Sequence, residues 1–380
     1  MENSTMYENL PTKMQDLWNN LSMVLNTFGE IGDRLDPTKI NSDADKLNSK
    51  TEALKKSLNE LEPIYAIEKD TIEYALTQAA SQILQAVARF ETARIGPHEI
   101  LKAYQSFRPM HRAEEILYPL AAQYEEISKH FLHPSQRENK ELLDGFYSLD
   151  IANQKTQNDS NSIRKGIIEV NNKRGQRGGY SLYIPENYES NNKYPLVVAL
   201  HGGSGHGSDF FWSWLYDART FGFILAAPTS IDRTWSLHSI ATDANRLNKM
   251  LTEISTKWNI DTNHILLTGL SDGGTYSMLL SIAHQSPFTH YAPVAAAVHV
   301  LLNRSTGTIT APVKDLPIYQ VHGGRDWMFP VTNARLAASS LKNAGAKIIY
   351  KEIPELSHNY PRDENINILK WFYPEGFEIK

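Results

Sequence analysis

Ser271, in Gly269-Leu270-Ser271-Asp272-Gly273-Gly274, is the residue of this chain best placed to act as a nucleophile. The apolar run His264–Thr268 before it is short enough for a buried strand, and Thr275–Ala283 after it reads as a helix. Strand, G-x-S-x-G, helix puts a serine on a tight turn with its hydroxyl exposed. Glycines at the ends of the motif allow the sharp bend and a close approach of helix to strand. The pattern alone decides little: at Gly and Ser frequencies of about 7% each, a chain of this length meets it by chance about one time in ten. A hydroxyl is a poor nucleophile. The chemistry therefore needs a base within hydrogen-bond reach, an acid to orient that base, and donors for a developing oxyanion.

Where a serine sits on such an elbow, the chain order is serine, acid, histidine. Of 13 histidines, only His358 lies well beyond the strand near residue 320. It sits in Ile353–Pro361, just past a predicted strand, on the sheet edge from which the serine emerges. The acids between the two are Asp272, Asp315, Asp326, Glu352 and Glu355. Asp272 adjoins the nucleophile and projects away from a later loop. Asp315 precedes a strand and falls at the opposite edge, while Glu352 lies within the last strand. Asp326 follows its strand through His322-Gly323-Gly324-Arg325, on the edge of the serine. Asp326 is the expected acid, with Glu355 the second choice.

The oxyanion needs two donors. One is the backbone N–H directly after the nucleophile, that of Asp272, and the other comes from the loop after an early strand. That loop is His201-Gly202-Gly203-Ser204-Gly205-His206-Gly207, with Gly203 the first choice and Gly202 or Ser204 the alternatives. It lacks the Gly-Lys-Ser/Thr of a phosphate loop and an intact G-x-G-x-x-G. His201, His206 and Asp209 suggest no fourth ligand, so no metal is expected. Trp212, Trp214, Trp235, His238, Trp327 and Phe329 fall in segments around the site, and of these Trp235 and Trp327 are expected to touch substrate. Arg233 and Arg325 suit an anionic group, although surface arginines need no such reason.

The elements that position these residues occupy the second part of a chain of 380 residues, long enough for two domains. Residues 1–150 are written in helical period: Leu10, Met14, Leu17, Leu21, Val24, Leu25 and Phe28 recur every three or four residues. A second apolar series runs Leu47–Leu61, a third runs Ile64–Ala93 and ends at Gly96-Pro97, and shorter helices are predicted near 98–107, 110–131 and 135–148. Residues 151–163 are polar and read as a linker. Beyond them, predicted strands at 167–170, 180–184, 196–200, 223–227, 265–268, 294–301, 318–321 and 347–353 alternate with helical patterns at 242–258, 274–284 and 332–344. Such alternation predicts a mostly parallel sheet covered by helices on both faces, in a domain of residues 164–380.

Composition narrows the partners. Hydrophobic residues at 41% and charged at 21% are ordinary for a soluble globular protein. The net charge of -5 gives no reason to expect nucleic acid. It divides unevenly: residues 1–150 hold 16 Lys/Arg against 24 Asp/Glu, and the remainder hold 22 against 19. The absence of cysteine excludes disulfides and a thiol nucleophile. No apolar run approaches the ~18 residues of a membrane span. No signal peptide is visible in the first residues, so a cytoplasmic location is the default expectation.

With these residues assembled, residues 165–380 resemble the α/β-hydrolase superfamily, in its serine esterase branch of dienelactone hydrolases, polyhydroxybutyrate depolymerases and feruloyl esterases. The resemblance rests on Tyr183-Ile184-Pro185 with Tyr188, on Tyr194–Gly203, on Gly269–Gly274, on His322-Gly323 with Asp326, and on His358 with Tyr360-Pro361. It implies hydrolysis of a small-molecule carboxylic ester through an acyl-serine, with no cofactor. A serine peptidase or thioesterase would use the same groups. The resemblance does not reach the all-α N-terminal domain. For that domain three roles stand open: shading the catalytic mouth, homo-oligomerisation, or binding a protein partner, the last being the route by which the chain would act as an interaction protein.

Overall fold

The change of hydrophobic period near residue 150 is a change of architecture in the computed structural model. It describes residues 8–61, 67–95, 100–147, 164–282, 286–302, 305, 308–309 and 311–377. The chain divides into two units, residues 1–159 and 160–380. The linker expected at 151–163 lies outside the described residues, as does Gly96-Pro97. Among the described residues no helix is long and apolar enough to cross a membrane.

The first unit is helical: α1 (Thr12–Asp33), α2 (Ile40–Asn59), α3 (Ile72–Glu91), α4 (Ile100–Gln105), α5 (Phe107–Leu117) and α6 (Glu125–His130). The stripe of α1 is fully buried at Leu17, Leu21, Val24 and Phe28. Phe28 meets the edges of Phe90 and Phe107, joining α1 to α3 and α5. Two expectations are corrected here. Of the series expected from Ile64, residues 64–66 lie outside the described residues, and helix α3 begins only at Ile72, because Thr71 takes an extended backbone and its hydroxyl accepts the Tyr74 N–H at 3.2 Å, capping the first turn. The single helix expected over 110–131 is broken at Leu117. Pro119 lacks an N–H to continue the ladder, and the chain tightens into a 3₁₀ turn over Tyr118–Ala122.

The second unit is an eight-stranded sheet. Its strands are β1 (Gly166–Val170), β2 (Tyr180–Ile184), β3 (Tyr194–Leu200), β4 (Ile224–Pro228), β5 (Ile260–Leu270), β6 (His290–Val294), β7 (Pro317–Gly323) and β8 (Lys347–Ile353), in the spatial order β1-β2-β4-β3-β5-β6-β7-β8. Strand β2 runs antiparallel to both β1 and β4, and every other pairing is parallel. Helices α7 (Trp212–Phe221), α8 (Ala241–Ser255), α9 (Asp272–Ser281), α10 (Val331–Asn343) and α11 (Asn365–Phe372) connect or follow the strands. β3 and β4 are buried at every residue, as strands covered on both faces must be. The order of connection reverses at β3, which lies between β4 and β5, and the crevice at the carboxyl ends of such strands is where α/β sheets bind ligands.

The strand expected over 294–301 is also corrected. β6 ends at Val294, Ala295 turns to φ 46°, and Val298–Leu301 forms a 3₁₀ turn. A nearly continuous apolar run carries no period to separate the two conformations.

Candidate active site

Ser271 stands between β5 and α9 with φ 56° and ψ -117°, a backbone that non-glycine residues adopt only where neighbours enforce it. The enforcement is visible. The Ser271 N–H donates to Val294 O at 2.9 Å, and Ser271 O accepts from the Thr275 N–H and hydroxyl at 2.8 and 3.0 Å. Below the turn, a Cβ on Gly273 would stand 2.5 Å from Leu200 O, so the end of β3 admits only glycine there without moving. The Asp272 carboxylate turns outward and accepts the Thr234 hydroxyl at 2.5 Å.

His358 and Asp326 arrive from the two loops after β8 and β7, which are stitched together by Gly324 N–H to Ile353 O and Arg325 N–H to Leu356 O. His358 Nε2 lies 2.9 Å from Ser271 Oγ, and His358 Nδ1 lies 2.9 Å from Asp326 Oδ2. All three residues are buried. The second carboxylate oxygen of Asp326 accepts the N–H groups of Met328 and Phe329, each at 2.8 Å. An ionised carboxylate at Nδ1 makes that nitrogen the proton carrier and leaves the Nε2 lone pair facing the serine hydroxyl. The carboxylate at His358 belongs to Asp326 and not to Glu355. Phe329 and the half-exposed Trp327 set their rings edge-on to the His358 imidazole, at 5.3 and 5.9 Å.

The glycine-rich loop closes the third side. The Ser204 N–H is bonded to Arg233 O at 2.8 Å, and the Gly205 N–H to Gly202 O at 2.9 Å. Gly203 packs against the residue after the nucleophile: a Cβ there would lie 2.6 Å from Asp272 Oδ2. Asp272 opens α9, where the first N–H groups of a helix lack intrahelical acceptors. Ser204, one alternative to Gly203, thus has its amide turned to Arg233.

Sequence reading missed the residues that brace this loop. Arg177, between β1 and β2, donates to Gly205 O, Ser230 O and Ser230 Oγ. Buried Asp243, in the first turn of α8, accepts the N–H groups of Ile231 and Ser236 and so holds the segment carrying Thr234. An acid at a helix start was a readable sign for Asp243, whereas Thr234 and Arg177 act across the fold without a local pattern. His201 Nε2 accepts the Ser230 N–H at 3.1 Å, so its Nδ1 is the donor to Gly202 O. His206 Nδ1 accepts the Ser208 N–H while Nε2 faces Gln176 O, and Asp209 pairs with Arg174. Trp235, an expected substrate contact, lies against His201. Its ring is 2% exposed, stacks on Tyr276, and donates its indole N–H to His201 O, so it supports the loop from the core.

The sheet order and the strained turn between β5 and α9 are those of the α/β-hydrolase fold. Residues 229–373 match the family model described as phospholipase/carboxylesterase. Several curated proteins are similar to part of the chain. The bifunctional acetylxylan esterase/xylanase XynS20E of Neocallimastix patriciarum is 25% identical over 209 residues, covering 53% of this chain and 29% of that protein. Acetylxylan esterase A of Aspergillus awamori is 27% identical over 132 residues, covering 31% of this chain and 43% of that protein. The chain therefore spans less than half the length of either relative. Among solved structures, Thermogutta terrifontis esterase 2 is similar at 16% identity and a TM-score of 0.43, covering 55% of this chain and 92% of that one.

Proposed function

We propose that this protein is a serine carboxylesterase. Ser271 attacks the ester carbonyl and forms an acyl-enzyme, with His358 taking the hydroxyl proton and returning it to the departing alcohol. Asp326 holds His358 in the reactive tautomer and stabilises the imidazolium. The N–H groups of Gly203 and Asp272 receive the oxyanion. Water, activated by His358, then releases the acid. The observation that carries this reading is the relay through one imidazole, 2.9 Å to Ser271 Oγ on one side and 2.9 Å to Asp326 on the other.

Because His358 protonates the leaving group, a ring edge-on to His358 borders the alcohol side of the ester. Trp327, 43% exposed, is therefore a contact for the alcohol rather than the acyl group. The acetylxylan esterases among the relatives make short acyl groups on a carbohydrate alcohol the first class to screen.

The test is Ser271→Ala. Turnover of an aryl acetate should fall by about 10⁴-fold or more, and covalent labelling by a fluorophosphonate should disappear. Labelling of the alanine variant at the wild-type rate would remove Ser271 from the mechanism.

A further inference from the structure

A second imidazole, that of His322, lies buried beside the relay and takes no part in the reaction as written above. It is 1% exposed on β7. Its Nε2 stands 2.9 Å from Phe329 O and 3.5 Å from Asp326 Oδ2. A carbonyl oxygen only accepts, so Nε2 carries the proton and the lone pair is on Nδ1. Nδ1 is buried without a hydrogen-bond partner among the described residues. An apolar side chain would leave no such atom unmatched, so packing alone gives no reason for a histidine here.

We propose that His322 is a positioning residue for the acid, its Nε2–H holding the Phe329 carbonyl so that the Asp326–Phe329 turn presents the carboxylate to His358. Phe329 is gripped at both ends of its backbone. Its N–H donates to Asp326 Oδ1 and its carbonyl accepts from His322. The same residue lays its ring edge-on to His358, so one clamped peptide sets both the acid and a wall of the base. At 3.5 Å the contact of His322 with Oδ2 is too long for a strong hydrogen bond, which leaves His358, at 2.9 Å, the short partner of that oxygen. Burial also holds His322 below the ordinary histidine range, favouring the neutral ring that this geometry uses. Without the grip on its carbonyl, Phe329 keeps one backbone anchor instead of two, and the carboxylate can swing off the line to Nδ1.

The proposal rests on the triad reading, and the experiment separates the two. In the full-length protein, His322→Leu removes the donor, His322→Asn offers an amide too short to reach Phe329 O, and His322→Gln restores an N–H near the Nε2 position. For His322→Leu and His322→Asn, kcat on an aryl acetate should fall by about 10- to 100-fold with KM within about threefold of wild type, as expected when a reacting group is displaced by an ångström or less. His322→Gln should recover most of the loss, with an unfolding midpoint no higher than that of His322→Asn. Where His322→Leu does not fold, the Asn and Gln pair decides. Equal turnover in that pair, or wild-type turnover in His322→Asn, overturns the proposal. Failure of a fluorophosphonate to label wild-type Ser271 would instead overturn the triad reading beneath it.

Discussion

In the helical unit, Leu17, Leu21, Val24 and Phe28 fall three or four residues apart and disappear into the core along one face of α1. In the sheet unit, Ser204, Ser271 and Ala295 hold positive φ angles, and Ser271, His358, Asp326 and His322 are polar groups buried together. The stripe of α1 follows local preference and apolar spacing. The sheet unit departs from local preference at a few points, each pinned by backbone hydrogen bonds or by contacts that exclude a Cβ. Departures of that kind persist only where surroundings over-determine them, and they gather where the reacting groups stand. The helical unit supplies none of the groups assigned to the reaction.

The contrast is sharpest when one member of the relay is changed. Asp326→Asn keeps the shape of the site but favours the wrong tautomer of His358, and kcat should fall by about 10³- to 10⁴-fold. A stopped-flow or steady-state assay reading less than a tenfold loss would detach Asp326 from the reaction. Leu21→Ala makes the complementary change. It should cost about 2–5 kcal/mol in the helical unit, read by urea denaturation, while turnover per folded molecule stays at the wild-type value. A fall in kcat without loss of fold would mean that the helices do contribute to chemistry.

Trp327→Ala tests whether the relay has a directional wall. Rates across alcohols of increasing size should lose their slope by about tenfold or less, while rates across acyl lengths keep theirs. A further effect is one of pH. Burial, reinforced by His264, pushes His290 down to about 4 from an ordinary 6.5. Between those values the unfolded chain binds a proton that the folded chain does not, so stability declines as pH falls through that window. The urea midpoint should drop from pH 7 to pH 4.5, and by less in His290→Phe.

The strand and helix around Ser271 were legible because a short apolar run, a glycine-flanked serine and a helical stripe are all local signals. The meeting of His358 and Asp326 with Ser271 was legible because chain order and sheet polarity left them as the leading pair. The strand boundary at Val294 was not, since Ala295–Leu301 is an apolar run whose conformation is decided by the elbow it packs beneath. The burial of Trp235 was not legible for a related reason: a tryptophan near a site and a tryptophan under it have the same neighbours in sequence. Thr234 and Arg177 reach their partners through space, across strands, and no spacing announces them, while the motif that holds His322 gives no sign that its ring meets the Phe329 carbonyl.

The contact between Gly203 and the Asp272 carboxylate reaches beyond this one sequence. The space a side chain at 203 would need is already filled by the residue that follows the nucleophile, and that carboxylate is tethered to Thr234. Enlarging position 203 requires shrinking or releasing position 272, and changing Thr234 frees the carboxylate to move. Positions 203, 234 and 272 are therefore mechanically coupled, and the effects of substitutions at them should be non-additive.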